Sequence, residues 1–189
     1  MTTIKKAVWV AVAMALGAIG PVNAAIINGS FETGDTSGWT STGNSGFSGV
    51  QCPGPGPTVF QGNCSYFNGA VGSEGFLSQT FFETPGAQVT VSFAALLDGG
   101  TPGEFDFSFN GVSIFDMVNP PASPGGVFQQ FSFTRTSIGN NTVSFSFRDD
   151  PGFIFLDGVR SVKIPEPASL ALLGVGLAGL WASRRRKTQ

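Results

Sequence analysis

The most reactive side chains in this sequence are two cysteines, Cys52 and Cys64, and the chain contains no histidine. Without an imidazole, the most common general base and the most common zinc ligand are both missing. Hydrolases that depend on a histidine base are therefore excluded, and we predict no catalytic residue. Two carboxylates are sufficient for glycoside hydrolysis, so a secreted glycan hydrolase stays open as an alternative. By residue type alone, the acids that could form such a pair are Glu32, Glu74, Glu83, Glu104, Asp106, Asp149 and Asp150.

The segment between the two cysteines is rich in proline and glycine. We predict an exposed loop here, because proline has no backbone N–H to donate to a strand ladder. In an oxidising compartment two lone cysteines form a disulfide by default, so we expect a bond between Cys52 and Cys64. A reactive thiol or a metal-binding pair is the alternative, but neither CxxC spacing nor a histidine supports it.

The N-terminus has the three parts of a secretory signal. Lys5 and Lys6 form a basic start, residues 7–19 are apolar, and Val22-Asn23-Ala24 has the small-residue pattern that signal peptidase recognises. The alternative is a membrane anchor, but the apolar run is shorter than the roughly 20 residues that a spanning helix needs. We therefore predict that residues 1–24 are a helical signal peptide cleaved after Ala24.

The C-terminus, residues 165–189, combines a proline motif, an apolar stretch and a basic cluster. The motif is Pro165, Glu166 and Pro167; the stretch, predicted to be a helix, is 168–182; and the cluster is Arg184, Arg185, Arg186 and Lys187. A positive cluster stays on the cytoplasmic side, which leaves the rest of the chain outside. The apolar stretch is marginal for a span of roughly 17–25 residues, so it crosses only with its arginines reaching to the interface.

This order of elements resembles the PEP-CTERM sorting tail of Gram-negative bacteria. The resemblance implies that an exosortase of the inner membrane recognises the tail and cuts it at the Pro-Glu-Pro motif. It also implies an inner-membrane intermediate, a final position at the cell surface or in the extracellular matrix, and a link to exopolysaccharide and biofilm. The alternative is a plain C-terminal anchor with a proline-rich stalk.

Between residues 25 and 164 the chain has four basic and eleven acidic residues, a net charge of −7. Nucleic-acid binding requires a basic patch that neutralises phosphates, and none is visible, so we predict no nucleic-acid partner. Glycine and phenylalanine are abundant, with 27 and 19 residues. These two residue types favour short strands joined by tight turns.

Apolar and polar residues alternate with a period of two in several segments. The apolar positions of these segments are Val89, Val91 and Phe93; Phe105, Phe107 and Phe109; Phe131 and Phe133; and Val143, Phe145 and Phe147. Such alternation predicts strands with one buried face and one solvated face. Asn110-Gly111 between two of these runs predicts a two-residue hairpin. The sequence therefore predicts an all-β domain over residues 25–164, a two-sheet antiparallel sandwich.

The two ends of this domain carry a second resemblance. Residues 28–34 followed by Gly38-Trp39, and residues 155–159, resemble the first and last strands of galactose-binding-like and carbohydrate-binding jelly rolls. In that family the last strand usually reads Leu-Asp-Asp-Val, whereas Gly158 replaces the second acid here. The resemblance implies a jelly roll with a structural calcium between the first and last strands, at Glu32 and Asp157.

Sugar binding requires exposed aromatic rings that stack on pyranose faces. Trp39 and Tyr66, together with Phe47, are the candidates because they lie among Gly, Ser and Asn. Core packing is the alternative for Trp39. We therefore expect an exported, non-enzymatic surface or matrix protein, sorted by an exosortase, whose jelly roll binds extracellular polysaccharide. A structural or adhesive surface protein without a sugar site is the alternative.

Overall fold

A computed structural model of the protein describes residues 26–165, together with 173–174 and 176–177. The strands of this part are β1 (Thr40–Gly43), β2 (Ser48–Gln51), β3 (Ser65–Asn68), β4 (Gly75–Phe82), β5 (Gln88–Leu97), β6 (Gly103–Phe109), β7 (Val112–Val118), β8 (Gln129–Thr136), β9 (Asn140–Asp149) and β10 (Ile154–Ile164). The predicted signal peptide and most of the predicted helix 168–182 lie outside the described residues. No helix within them is long and apolar enough to cross a membrane.

The strands form two antiparallel sheets of five strands each. Sheet I has the order β1-β4-β9-β6-β7, and sheet II has the order β2-β3-β10-β5-β8. Most neighbours in each sheet are distant in sequence, as expected for a sandwich whose strands alternate between layers. The predicted all-β, two-sheet antiparallel sandwich is confirmed.

The core lies between the sheets and consists mainly of phenylalanine rings. In sheet I, Phe105 and Phe107 of β6 and Phe145 of β9 have no exposed surface. Phe93 of sheet II reaches across, with its ring centroid 4.9 Å from that of Phe145 and 5.1 Å from that of Phe107. Each such side chain contributes about 1.5–3 kcal/mol by burial. The alternation in the sequence thus predicted the inward faces of β5, β6 and β9.

The hairpin between β6 and β7 turns through Asn110 and Gly111, as predicted. Their φ angles are 52° and 75°, which is the left-handed region that a type I′ turn requires at both central residues. Asparagine and glycine are the residues that adopt this region at least cost.

The candidate site lies on the outer face of sheet II. Strand β10 carries a register shift between Asp157 and Arg160 in its pairing with β5, and Gly158 in the bulge has a φ of 61°. The loop from 52 to 64 joins β2 to β3 and contacts β10 at this bulge. A β-bulge of this kind bends the strand and re-aims its side chains.

Candidate functional site

A disulfide closes the loop between β2 and β3. Cys52 directly follows β2, Cys64 directly precedes β3, and their sulfur atoms are bonded, with the Cα atoms 4.1 Å apart. No strand occurs between them, which agrees with the predicted loop. The predicted disulfide is confirmed, and the loop is held at its base. We call residues 52–64 the disulfide loop.

Asp157 fixes the middle of the disulfide loop to β10. Its side chain is fully buried, and its Oδ2 accepts hydrogen bonds from the backbone N–H groups of Phe60 (2.9 Å) and Gln61 (2.8 Å). Its Oδ1 accepts a third bond from the N–H of Gly158. Burial raises the pKa of Asp157, and the three N–H donors offset part of that rise. The carboxylate is therefore an anchor for the loop backbone.

Glu32 fixes the end of the same loop. Its Oε1 accepts hydrogen bonds from the N–H groups of Asn63 and Cys64, both at 2.9 Å. The resemblance to carbohydrate-binding jelly rolls implied a calcium ion at Glu32 and Asp157. Calcium takes six to eight oxygen ligands. Here both oxygens of Asp157 and one oxygen of Glu32 already accept hydrogen bonds from backbone N–H groups. An ion bound to these oxygens would face the positive ends of those N–H groups. These two residues as arranged do not fit a shared calcium site. No cluster of three or more Asp, Glu, Cys or His in the described part of the chain could hold a metal ion.

The ring of Phe60 joins the disulfide loop to β10. A Cβ atom at residue 158 would lie 3.2 Å from Cδ1 of the Phe60 ring, so the ring rests on the backbone of Gly158. Phe128, which precedes β8, packs beside it with the ring centroids 5.8 Å apart. Phe60 keeps 40% of its surface exposed. Two aromatic rings from distant parts of the chain thus meet at the protein surface.

A cleft of about 510 Å³ lies beside Phe60 on the outer face of sheet II. Its floor is a row of polar side chains across three strands, because Arg160 of β10 pairs with Ser92 of β5, and Ser92 pairs with Ser132 of β8. Gln61 and Gln130 add amide groups at the edges. Such a volume lies within the roughly 300–1,000 Å³ typical of small-molecule sites.

Arg160 is the charged residue of this cleft. Its Nε donates a hydrogen bond to Oγ of Ser92 at 2.9 Å, which fixes the guanidinium over the sheet. The remaining lining residues are Phe60, Gln61, Thr90, Ser92, Phe93, Gln130, Phe131, Ser132, Gly158 and Val162, and none is acidic. A ligand in the cleft would meet aromatic, hydroxyl, amide and guanidinium groups.

The aromatic residues predicted to bind a sugar lie elsewhere. Tyr66 has no exposed surface and packs against Phe147, while Trp39 is 8% exposed and packs against Phe31 and Phe145. The indole Nε1 of Trp39 donates to the carbonyl of Asn28, so its polar atom is also engaged within the protein. Neither ring presents a face to solvent, and the predicted stacking role is corrected to core packing.

Phe60, Phe128 and Arg160 were missed by the sequence analysis. Phe60 and Phe128 lie outside the alternating runs, so packing in the core of the sandwich does not explain these two phenylalanines. This position was the signal in the sequence that could have pointed to them as surface residues. Phe47 also lies outside the runs and is 65% exposed, but it is not part of the cleft.

A group of acids occupies the outer face of sheet I. Asp106 of β6 pairs with Asp116 of β7, and Glu104 lies one row further along. Burial raises the pKa of Glu104, and repulsion from Glu74, Asp116 and Asp106 adds to that rise. Burial likewise raises the pKa of Asp106. The structure therefore brings together three of the acids named for a carboxylate pair, Glu74, Glu104 and Asp106, on the sheet opposite the cleft.

The C-terminal motif matches a known family model. A model described as the PEP-CTERM protein-sorting motif matches residues 163–187. Pro165 is described by the structure and follows β10 directly, while Glu166, Pro167 and Arg184–Arg186 lie outside the described residues. A search of curated protein sequences finds no match.

Several solved structures share the sandwich. TmCBM61 in complex with β-1,4-galactotriose aligns with a TM-score of 0.63 and 16% identity, over 75% of this chain and 99% of that one. The K1 cleaved adhesin domain of Lys-gingipain from Porphyromonas gingivalis W83 aligns with a TM-score of 0.55 and 14% identity, over 72% and 96%. The CBM22-1–GH10 modules of Clostridium thermocellum xylanase 10B, in complex with xylohexaose, align with a TM-score of 0.52 and 15% identity, over 77% and 29%. At these identities the likeness concerns the fold, a jelly roll of the kind found in carbohydrate-binding modules.

Proposed function

We propose that this chain, in which a PEP-CTERM sorting motif follows a jelly-roll sandwich, is an exported, non-enzymatic surface or matrix protein. In this proposal an exosortase processes the chain, and its sandwich binds extracellular polysaccharide. The binding site is the cleft on the outer face of sheet II. The observation that carries this proposal is the exposed ring of Phe60, which packs on Phe128 and lies beside a polar floor.

The chemistry of the cleft suits a sugar. A pyranose ring has apolar C–H faces, which stack on aromatic rings, and a rim of hydroxyl groups, which need hydrogen-bond partners. Phe60 offers the stacking surface, and Ser132, Gln61 and Gln130 offer hydroxyl and amide groups within the same cleft. Because Asp157 and the disulfide hold the loop backbone, Phe60 is already in place before the ligand arrives, which reduces the entropy cost of binding.

The sorting motif supports the cellular part of the proposal. After signal peptidase removes the N-terminal signal, the tail holds the chain at the inner membrane with the sandwich outside. An exosortase then removes the tail, and the sandwich moves to the cell surface or the extracellular matrix. Fractionation of cells with and without the exosortase tests this step. We expect a full-length membrane species only in the mutant, and such a species in both strains would contradict the proposal.

Binding is tested with the full chain in a zwitterionic detergent, because a glycosidic detergent would compete for the cleft. The chain and its Phe60→Ala variant are titrated with a panel of neutral and anionic oligosaccharides. We expect Phe60→Ala to weaken binding by about threefold to tenfold, because a stacked ring contributes about 0.5–1.5 kcal/mol beyond its burial. Phe47→Ala, another exposed ring outside the cleft, is the matched control and should bind like the parent chain.

An adhesive or structural protein without a sugar site is the second candidate. Its support is the likeness of the fold to the adhesin domain from Porphyromonas gingivalis W83. Under this candidate no oligosaccharide binds, and cell-surface attachment is the same for the parent chain and Phe60→Ala.

The absence of acids from the cleft lining supports a role without catalysis. Turnover of a glycan that disappears in Glu104→Gln would instead favour the hydrolase.

A further inference from the structure

The cleft contains one positive charge and no negative one, in a domain that is otherwise acidic. We infer that the cleft selects anionic polysaccharide, in particular chains that contain uronic acids, and that Arg160 is the residue that determines this specificity. This inference rests on the proposed carbohydrate binding and adds the class of sugar.

Arg160 is oriented to receive an anion. The hydrogen bond from its Nε to Ser92 uses one of the five guanidinium N–H groups and sets the plane of the group. The side chain is exposed, and no carboxylate within the described residues forms an ion pair with it. Its two terminal nitrogens are therefore available for a carboxylate, which a guanidinium binds with two parallel hydrogen bonds.

The other basic residues of the sandwich are placed differently. Arg148 forms an ion pair with Asp150 at 2.8 Å, and Lys163 forms one with Glu83 at 3.2 Å. Arg135 lies on β8 outside the cleft lining and donates to the carbonyl of Thr134. Arg160 thus differs from all three in combining a free carboxylate-binding edge with a position inside the cleft.

The charge distribution of the domain restricts where an anionic polysaccharide can bind. With a net charge of −7 between residues 25 and 164, most of the domain repels an anionic chain. Exposed charges are screened beyond about 8 Å at physiological ionic strength, so the local environment decides where an anion binds. Asp157, the acid nearest in sequence, is buried with its oxygens turned to backbone N–H groups. No acidic residue lines the cleft, so a uronate can approach Arg160 there.

Two neighbouring kinds of group complete the recognition. Ser92 and Ser132 lie beside Arg160 in the same row of the sheet, where they can bond to sugar hydroxyls. Phe60 lines the same cleft, where it can stack on a ring. A uronic acid offers a carboxylate, hydroxyl groups and a ring face on one residue, which matches these three kinds of group.

The test uses two probes that differ at the carboxyl group. Oligogalacturonate and its fully methyl-esterified form have the same rings and linkages, but the ester has no carboxylate. Binding of each to the full chain in zwitterionic detergent is measured by calorimetry at low and high salt. We expect the charged probe to bind severalfold more tightly than the ester, because its carboxylate can form a charge-assisted bidentate pair with Arg160. The preference should shrink as the salt concentration rises.

Two arginine variants test whether Arg160 is the residue that causes the preference for the charged probe. Arg160→Gln should bind both probes with equal, weak affinity, while Arg135→Gln, with the same change of charge on the same sheet, should keep the preference. Equal melting temperatures of the two variants would exclude a folding defect as the cause. A preference that persists in Arg160→Gln, or equal binding of both probes by the parent chain, would overturn the inference.

The outcomes also separate this inference from the proposed function. If neutral oligosaccharides bind in a manner that depends on Phe60 and the anionic ones do not, carbohydrate binding stands and the charge preference fails. If no neutral or anionic oligosaccharide binds at all, the proposed function itself fails, and this inference fails with it. A sulfated oligosaccharide in the same titration shows whether Arg160 prefers a carboxylate to a sulfate.

Discussion

The ring of Phe60 lies against the backbone of Gly158, so that a Cβ atom at position 158 would come within 3.2 Å of the ring. Carbohydrate-binding jelly rolls usually have a second acid at this position of the last strand. Here the glycine serves two purposes, because it also has a φ of 61°, which side chains with a Cβ adopt at a cost. Glycine at position 158, where the carbohydrate-binding jelly rolls that the chain resembles have an acid, therefore leaves room for the ring of Phe60.

Gly158→Ala is expected to destabilise the domain by about 1–3 kcal/mol, through the left-handed backbone and the contact with Phe60. Gly111→Ala is the matched control, since Gly111 also has a positive φ, of 75°, but nothing lies within 4 Å of its Cβ position. Urea denaturation measures both variants. The difference between the losses in free energy of unfolding of the two variants is the contribution of the contact with Phe60. Only Gly158→Ala should also bind oligosaccharide more weakly. Equal losses in both would show that Phe60 does not press on residue 158.

Much of the sandwich could be predicted from the sequence because a period of two reports directly which face of a strand is buried. The inward faces of β5, β6 and β9 and the Asn110-Gly111 turn are of this kind. The short strands β1, β2 and β3 have four residues each, too few for a pattern to emerge. Strand order is not encoded locally either, since β10 pairs with β3 and β5 through contacts distant in sequence.

The candidate site was harder to predict for a related reason. Glu32 and Asp157 were predicted to lie at the ends of the first and last strands, but Glu32 lies in a turn before β1 and Asp157 lies within β10. Their partners are backbone N–H groups of a loop, which no residue type reveals. Trp39 lies in a polar stretch and is still buried, because Phe31 and Phe145 cover it. Phe60 and Phe128 meet only after the loop closes over the sheet, so their pairing is a property of the fold.

Asp157→Ala should destabilise the domain more than Asp157→Asn. Alanine leaves the N–H groups of Phe60 and Gln61 without an acceptor, at about 1–3 kcal/mol for each buried donor, whereas the amide oxygen of asparagine can still accept them. Hydrogen exchange of these two amides is the direct measurement. We expect fast exchange in the alanine variant and near-normal protection in the asparagine variant. Unchanged protection in Asp157→Ala would show that the loop is held by other contacts.

Calcium should leave the stability of the protein unchanged. The oxygens of Asp157 and the Oε1 of Glu32 accept backbone N–H groups, so an ion between them would have to displace five hydrogen bonds. The melting temperature is measured in millimolar calcium and in excess chelator. A rise in calcium that Glu32→Gln abolishes would restore the calcium assignment implied by the resemblance to jelly rolls.

Removal of the disulfide should cost about 2–3 kcal/mol, as expected for a loop of this size. The double variant Cys52→Ser, Cys64→Ser is compared with the parent chain by urea denaturation, and quantitative thiol labelling of the native parent should detect no free thiol. Because Glu32 and Asp157 hold the second half of the loop, the loss of protection in hydrogen exchange should concentrate in residues 53–59. Uniform loss over the whole loop would show that the carboxylates do not act as independent anchors.

The ionised carboxylate of Asp149 should destabilise the protein at neutral pH. The protein should be more stable when this carboxyl group is protonated. The side chain is 2% exposed, and neither carboxylate oxygen has a hydrogen-bond partner within the described residues. Burial raises the pKa of Asp149, and the nearby N–H of Gly100 offsets part of that rise. Since the folded pKa lies above the unfolded one, the folded state binds the proton more tightly, and stability falls as the pH rises through this interval.

Asp149→Asn removes the buried charge but keeps a polar group at this position. The part of the penalty that comes from ionisation is lost, so the variant should be more stable than the parent chain at pH 7. The gain should shrink as the pH is lowered and disappear below about 3.9, where the unfolded aspartate is protonated as well. Asp150→Asn is the matched control with the opposite sign. The hydrogen bonds from Arg148 lower the pKa of Asp150, so its ionised form stabilises the fold above the unfolded pKa, and that stability is lost as the pH falls. Urea denaturation from pH 3 to pH 7 gives the free energy of unfolding of both variants and of the parent chain. As the pH rises, the Asp149→Asn variant should become more stable than the parent and the Asp150→Asn variant less stable. Two variants that change in parallel with pH would contradict the assignment of the penalty to Asp149.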